Sequence, residues 1–345
     1  MELPRRVIVG SSILSDIGGM LGELELGRKT IVLSGPVVRE IAGAKLVSDL
    51  NASGFEAKWG DVDASTFQEV ERVTKIAMES HADFLIGIGG GKSIDVAKLA
   101  SFNCKIPFVS VPTSASHDGI SSPFGSVKGL NRPYSLVAKP PIAIIADVDI
   151  ISRAPFHLMI SGCGDLISKK TAVKDWELSH KVTGEYYGTY SASLALLSAD
   201  LILNNSRLIS RKNLDSVRVV VEALISSGVA AGIAGSSRPC SGSEHLFSHA
   251  MDVVAPGRGL HGEKCGIGTI MMSELHGLDS EMIRENLKRI GAPVTAREIG
   301  ASNDEIIRAL ILAGTIRKER FTILDEVKLT DVTAERLARD VGVIC

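Results

Sequence analysis

Three separate fragments of this 345-residue chain carry side chains able to hold a metal ion: Gly162-Cys-Gly-Asp165, Ser243-Glu-His-Leu-Phe-Ser-His249 and Gly259-Leu-His-Gly262. One carboxylate and two imidazoles, from Asp165, His245 and His261, make a three-donor set. Such a set leaves a coordination position for water or a substrate oxygen, as catalytic zinc and related divalent ions require. His245 and His249 are four residues apart and so share one helix face. Taken singly, each residue has a commoner use, the aspartate as a helix cap and each histidine as a hydrogen-bonded structural group. Together they say more: four of the eight histidines, His117, His245, His249 and His261, fall in Gly- and Ser-rich segments that read as the lining of a cleft.

A second cluster suits a phosphate. Residues 84–95, Phe-Leu-Ile-Gly-Ile-Gly-Gly-Gly-Lys-Ser-Ile-Asp, run from a buried strand through glycines into a helix. Glycines let a backbone approach a diphosphate, and the free N–H groups of a first helical turn favour its charge. The P-loop pattern fails because Ile86 stands where its first glycine belongs, and the G-x-G-x-x-G pattern fails because Lys92 stands where its last glycine belongs. The next strand ends in Val111-Pro-Thr-Ser-Ala-Ser-His-Asp118, whose small hydroxyl residues suit a second wall of a phosphate and ribose site at the carboxyl edge of a sheet. Asp61 and Asp63, after an earlier strand, could accept ribose hydroxyls, and no arginine obviously awaits a 2′-phosphate.

The elements around these residues follow from periodicity. β-Branched runs at 29–34, 57–59, 82–88 and 107–111, with a weaker one at 142–146, alternate with helical stretches such as 37–53 and 66–80. Phe67, Val70, Val73, Ile76 and Ala77 mark the apolar face of the last. This predicts an α/β domain with a Rossmann-like parallel sheet over 1–153. From 154 to 345 helix-period segments dominate, at 164–175, 190–204, 214–232, 244–253, 262–276 and 304–313, and predict an all-helical metal- and substrate-binding domain. A chain of this length is expected to fold as two domains that share a cleft. A formal net charge of −2 with no dense Lys/Arg run argues against nucleic acid. Five scattered cysteines without a C-x-x-C pair fit a reducing, cytoplasmic setting. No export signal and no membrane span are expected.

Read together, five segments resemble the archaeal sn-glycerol-1-phosphate dehydrogenases, within the wider group of iron- and zinc-type alcohol dehydrogenases, glycerol dehydrogenases and dehydroquinate synthases. They are residues 89–95, 112–123, 162–169, 242–249 and 260–263. The resemblance covers essentially the whole chain and implies a dehydroquinate synthase-like fold. It assigns NAD or NADP to Gly89, Gly90, Gly91, Lys92, Ser93, Ile94 and Asp95, to Thr113, Ser114, Ala115 and Ser116, and to Ser122. It assigns one divalent metal, zinc by preference, to Asp165, His245 and His261, and substrate contacts to Asp118, Asp165 and His249. The implied reaction is NAD(P)H-dependent reduction of dihydroxyacetone phosphate to sn-glycerol-1-phosphate, for the backbone of archaeal ether lipids, in a homo-oligomer.

In that chemistry the metal polarises the carbonyl, the nicotinamide delivers hydride, and either His249 or Asp118 serves protonation of the alkoxide. Lys169, Lys170, Arg258 and Lys264 lie near the ligands in sequence and are candidates for the substrate phosphate, Lys169 first because it is one helical turn from Asp165. A glycerol dehydrogenase would share fold, cofactor and metal set, and a dehydroquinate-synthase-like lyase would use NAD only transiently.

Overall fold

The computed structural model describes residues 2–127 and 134–345. The chain forms two compact units, one of Met1–Ala115 with Gly119–Ala154 and one of Ser116–Asp118 with Pro155–Cys345.

Among the described residues the first unit has eight strands: β1 (Arg6–Gly10), β2 (Lys29–Ser34), β3 (Glu56–Asp61), β4 (Phe84–Gly89), β5 (Phe108–Pro112), β6 (Phe124–Val127), β7 (Tyr134–Val137) and β8 (Ala143–Asp147). Six of them form one parallel sheet in the order β1-β8-β5-β4-β2-β3, and β6 pairs with β7 in an antiparallel hairpin. Every residue of β4, β5 and β8 is buried, which is why these strands read as unbroken apolar runs. Val32, Ile86, Ile88, Val109 and Ile145 from the strands pack with Leu46 and Leu50 in one core cluster.

The helix Phe67–Glu79 is capped by Thr66, whose side chain accepts from the Glu69 N–H. It buries Val70, Val73 and Ala77, whereas Phe67 and Ile76 are exposed, so its apolar face is narrower than the sequence pattern. The strand β1 was not anticipated. It is a five-residue sheet edge with only partial burial, which blunts the periodic signal.

The second unit is helical throughout among the described residues. Its longer helices are Phe156–Ile167, Lys169–Thr183, Thr189–Asn204, Leu214–Ala234, Ser243–Val254, His261–Leu275, Ser280–Ile290, Asn303–Ile316 and Asp331–Asp340. The predicted helix at 164–175 is in fact two, broken at Ser168, whose hydroxyl donates to the Asp165 carbonyl at 2.6 Å. Asp165 therefore occupies the last turn of a helix and not a helix start. Leu214–Ala234 is long and apolar enough to cross a bilayer, yet Val217, Val220, Val221, Ala223 and Leu224 are buried and the helix packs on Thr189–Asn204. It begins in a capping box of Asn213 and Ser216 and ends at Gly235, as a core helix of a globular protein does.

Candidate active site

The helices Phe156–Ile167 and His261–Leu275 touch through glycine. A Cβ at Gly164 would land on the Gly262 carbonyl oxygen, and one at Gly262 on the Ser161 carbonyl. The Gly262 N–H also donates to Ser161 Oγ at 3.1 Å. This approach sets Asp165, the residue after Gly164, near His261, the residue before Gly262. The helix Ser243–Val254 adds His245, 7% exposed, and His249 one turn later on the same face.

The donors meet in pairs. His245 Nε2 lies 3.4 Å from Asp165 Oδ1, and the His245 and His261 rings stand 5.1 Å apart at 64°. The rings of His249 and His261 are 6.1 Å apart. Outer partners orient both imidazoles. His245 Nδ1 donates to Glu244 Oε1 at 2.7 Å, since a carboxylate only accepts, and Ser248 Oγ lies 3.2 Å from His261 Nδ1. Glu244 is itself fixed by the Gly242 N–H and by Thr171 Oγ1, each at 2.7 Å. Both Nε2 atoms are thereby left for an ion, the support that metal-binding histidines need.

Asp118 joins the same unit. Its N–H donates to Asp165 Oδ2 at 3.0 Å, and its Oδ2 accepts from Ser227 Oγ at 2.8 Å and from Lys169 Nζ at 3.1 Å. Lys169 is fully buried and also donates to Asp165 Oδ1 at 2.8 Å and to the Cys240 carbonyl at 3.1 Å. With all three ammonium protons engaged, Lys169 has none for a substrate phosphate, contrary to the sequence expectation. Lys170 is paired with Asp200 at 2.6 Å, and Lys264 with Asp252. Arg258 is exposed.

Charge explains the titration of the cluster. Burial pushes the Asp165 carboxyl up, but the Lys169 ammonium and His245 outweigh it and hold it well below the usual range. Burial likewise disfavours charge on Lys169, and Asp118 and Asp165 more than reverse this. Burial also works against a proton on His245, while Cys265, Asp165 and Glu244 hold one there. His261 and His249 go the other way through burial and then through His245, His249 to about 4.

Among Asp118, Asp165, Glu244 and Lys169, three carboxylates face one ammonium. Once the His245 proton is displaced, as metal binding requires, the excess of two negative charges is what a divalent cation would balance. The donor set and the charge both fit such an ion.

Sequence reasoning missed two groups here. Cys265 lies one turn after His261 on the same helix, and the ligand atoms of His245, His261 and Cys265 all lie within 4.8 Å of one another. The four-residue spacing was a visible signal. Arg317, far away in sequence, bears electrostatically on His249, and no local pattern marked it.

In the first unit, Gly89 ends β4 with φ +147°, where a Cβ would strike Ser93, and its carbonyl accepts from the Thr113 N–H at 2.9 Å. Gly90 then opens the helix Gly91–Cys104, whose N-terminus has no side-chain cap and so keeps its first N–H groups available. A Cβ on Gly90 would sit 3.2 Å from Ser114 Oγ, placing the two glycine- and hydroxyl-bearing walls side by side. Lys92 reaches back to the Asp63 carbonyl at 2.9 Å.

Other residues assigned to the cofactor serve the interior. Ile94 and Ala115 are buried, and the Asp95 carboxylate takes the Ser126 N–H at 3.1 Å and Lys98 Nζ at 3.4 Å. Ser122, also buried, donates to the Phe124 carbonyl at 3.3 Å. Ser116 belongs to the second unit, where its carbonyl accepts from Ser161. At the end of β3, Asp61 takes Trp59 Nε1 at 2.8 Å and stands 3.4 Å from Arg39, an arginine that sequence spacing did not bring forward.

Comparison with known proteins agrees in sequence and in shape. Residues 8–155 match the family described as iron-containing alcohol dehydrogenase. Glycerol-1-phosphate dehydrogenase (NAD(P)+) of Nitrosopumilus maritimus is 51% identical over 344 residues, covering 100% of this chain and 97% of its own. The enzymes of the same name from Thermococcus sibiricus and Metallosphaera sedula are 48% and 51% identical, each over 100% of this chain and 98% of its own. Among solved structures, a probable glycerol dehydrogenase of Sinorhizobium meliloti superposes with a TM-score of 0.79 at 20% identity, covering 98% of this chain and 96% of that one. Glycerol dehydrogenase of Schizosaccharomyces pombe gives 0.78 at 20% identity, over 99% and 92%. The chain thus has the two-domain fold of the iron-containing alcohol dehydrogenases and belongs to their glycerol-1-phosphate dehydrogenase (NAD(P)+) family of oxidoreductases.

Proposed function

We propose that this chain reduces dihydroxyacetone phosphate to sn-glycerol-1-phosphate with NADH or NADPH, at a divalent ion, zinc, held by Asp165, His245 and His261. The observation that carries the reading is the buried meeting of Asp165 and His245 at 3.4 Å beside His261, with Glu244 and Ser248 aiming both Nε2 atoms inward. When bound, the ion supplies Lewis-acid polarisation of a carbonyl and the reduced nicotinamide supplies hydride.

The chain's own share is orientation. The uncapped helix N-terminus at Gly91 and the glycines before it receive the cofactor diphosphate, with Thr113 and Ser114 along its edge. Asp61 receives a ribose hydroxyl, and Arg39 beside it allows a 2′-phosphate as well, which accommodates both cofactors. Asp118, held by Ser227 and Lys169, contacts a substrate hydroxyl. His249, whose ring lies 6.1 Å from that of His261, contacts the same substrate. The five unpaired cysteines fit a reducing cytoplasm, where the product would supply the backbone of ether lipids.

The test is reduction of dihydroxyacetone phosphate followed by loss of NADH or NADPH absorbance, with chiral analysis of the product. Oxidation of glycerol is measured beside oxidation of glycerol-1-phosphate. Formation of the sn-glycerol-3-phosphate hand, or a faster rate on glycerol, overturns the proposal.

A further inference from the structure

We propose that Cys265 is a fourth donor to the metal, so that in the absence of substrate the centre is closed by Asp165, His245, His261 and Cys265. This rests on the reading that the first three hold a divalent ion, and it adds a ligand of different chemical character.

Two donor pairs stand at distances that suit shared coordination, and the ligand atoms of His245, His261 and Cys265 lie within 4.8 Å of one another, with Asp165 joined to that group through His245. With metal–nitrogen and metal–oxygen bonds of about 2.1 Å and a metal–sulfur bond of about 2.3 Å, tetrahedral geometry puts N and O donors about 3.4 Å apart and N and S donors about 3.6 Å apart. His245 Nε2 and Asp165 Oδ1 are 3.4 Å apart, and His261 Nε2 and Cys265 Sγ are 3.7 Å apart. His261 and Cys265 are one turn apart on one helix face, which holds both donors at a fixed spacing without any loop.

Cys265 is completely buried, and the polar neighbours of its sulfur are the imidazoles of His261 and His245. Burial alone does not produce that setting. Cys240, also buried, turns its sulfur to Ser227 instead, 3.2 Å from the carbonyl.

On binding, the thiol proton leaves to solvent and a metal–sulfur bond forms, with no change of oxidation state. The consequence is selection. A thiolate in the set favours zinc and other thiophilic ions over magnesium or manganese, which three N/O donors alone do not achieve. A closed four-donor shell also slows loss of the ion when no substrate is present.

The experiment exchanges the resident metal of the full chain for one equivalent of cobalt(II). Visible ligand-field bands report that an ion is held, and a near-ultraviolet sulfur-to-cobalt charge-transfer band reports the thiolate. Wild type is expected to show both. Cys265→Ser is expected to keep the visible bands, to lose the charge-transfer band, and to yield its cobalt to a chelator at least about tenfold faster.

Visible bands without the charge-transfer band in wild type, or a charge-transfer band that survives in Cys265→Ser, overturn Cys265 as a ligand and leave the three-donor site standing. Failure to take up cobalt at all overturns both. Should the variant not fold, the wild-type spectrum alone decides.

Discussion

The ammonium of Lys169 lies 2.8 Å from Oδ1 of Asp165, on the far side of a one-residue break between two helices, and both residues are buried. The same ammonium holds Asp118 at 3.1 Å, so one cation ties a candidate metal ligand to a candidate substrate contact. Lys169→Met keeps most of the unbranched side chain and removes its charge, leaving two carboxylates without their counter-ion. Removing one partner of a buried pair costs about 3–5 kcal/mol. The expected result is an unfolding free energy, from urea titration, lowered by that amount with a lower midpoint, and loss of dihydroxyacetone phosphate reduction. An unchanged midpoint contradicts this account of Lys169.

The contact of Gly164 with the Gly262 carbonyl sets how closely two ligand-bearing helices approach. A methyl group there meets backbone, which cannot move aside as a flexible side chain does. Gly164→Ala and Gly262→Ala are each expected to destabilise by about 1–3 kcal/mol through overpacking. Because Asp165 and His261 adjoin these glycines, both variants should also bind less metal per chain by elemental analysis. Full metal occupancy at reduced stability would mean that the contact serves packing alone.

How far the sequence discloses this arrangement depends on where each residue's signal comes from. The run at 29–34 coincides with β2 because a strand buried on both faces is apolar throughout. β1 and the β6–β7 hairpin lie outside that logic, being short and partly exposed or separately paired. The apolar pattern continues across Ser168, so the helix break there is invisible; it depends on one serine hydroxyl turning to a carbonyl.

In the site, the spacing of Asp165 and Lys169 is plain from sequence, yet a lysine's default environment is solvent, and only the position of Asp118 explains its burial. Cys265 was within reach of the same spacing rule that joined His245 to His249. Arg317 was not, since its proximity to His249 arises from tertiary packing.

Arg317 carries a charge felt at His249, a proposed substrate contact, which makes it a residue to test for the substrate phosphate. Its side chain is 18% exposed and bears electrostatically on His249, while Nε donates to Glu319 Oε1 at 3.1 Å. A charge-assisted hydrogen bond is worth about 1.5–3 kcal/mol, or roughly 10- to 150-fold in binding. Arg317→Ala should raise the KM for dihydroxyacetone phosphate within that range and leave the KM for NADH unchanged. Equal changes in both would place Arg317 outside the phosphate pocket.

The pair of Glu185 and Arg238 provides a pH-dependent element away from the metal ligands. Arg238, almost fully buried, donates through Nε to Glu185 Oε1 at 2.8 Å and through Nη2 to Oε2, with Ser179 Oγ donating to Oε2 at 2.6 Å. Burial pushes the carboxyl up, but Arg238 and Ser179 outweigh it and hold it below its ordinary 4.5. A carboxyl depressed on folding adds stability that is present in full above its unfolded value and is lost as pH falls through the lower folded one. The stability gap between wild type and Glu185→Gln should therefore stay constant from pH 7 down to about 5 and close at more acidic pH. Because the carboxylate is 34% exposed, added salt should narrow the gap at pH 7 as well. Urea midpoints of both proteins across this range check the sign, and a gap that widens as pH falls would show that Glu185 is not stabilised as an anion.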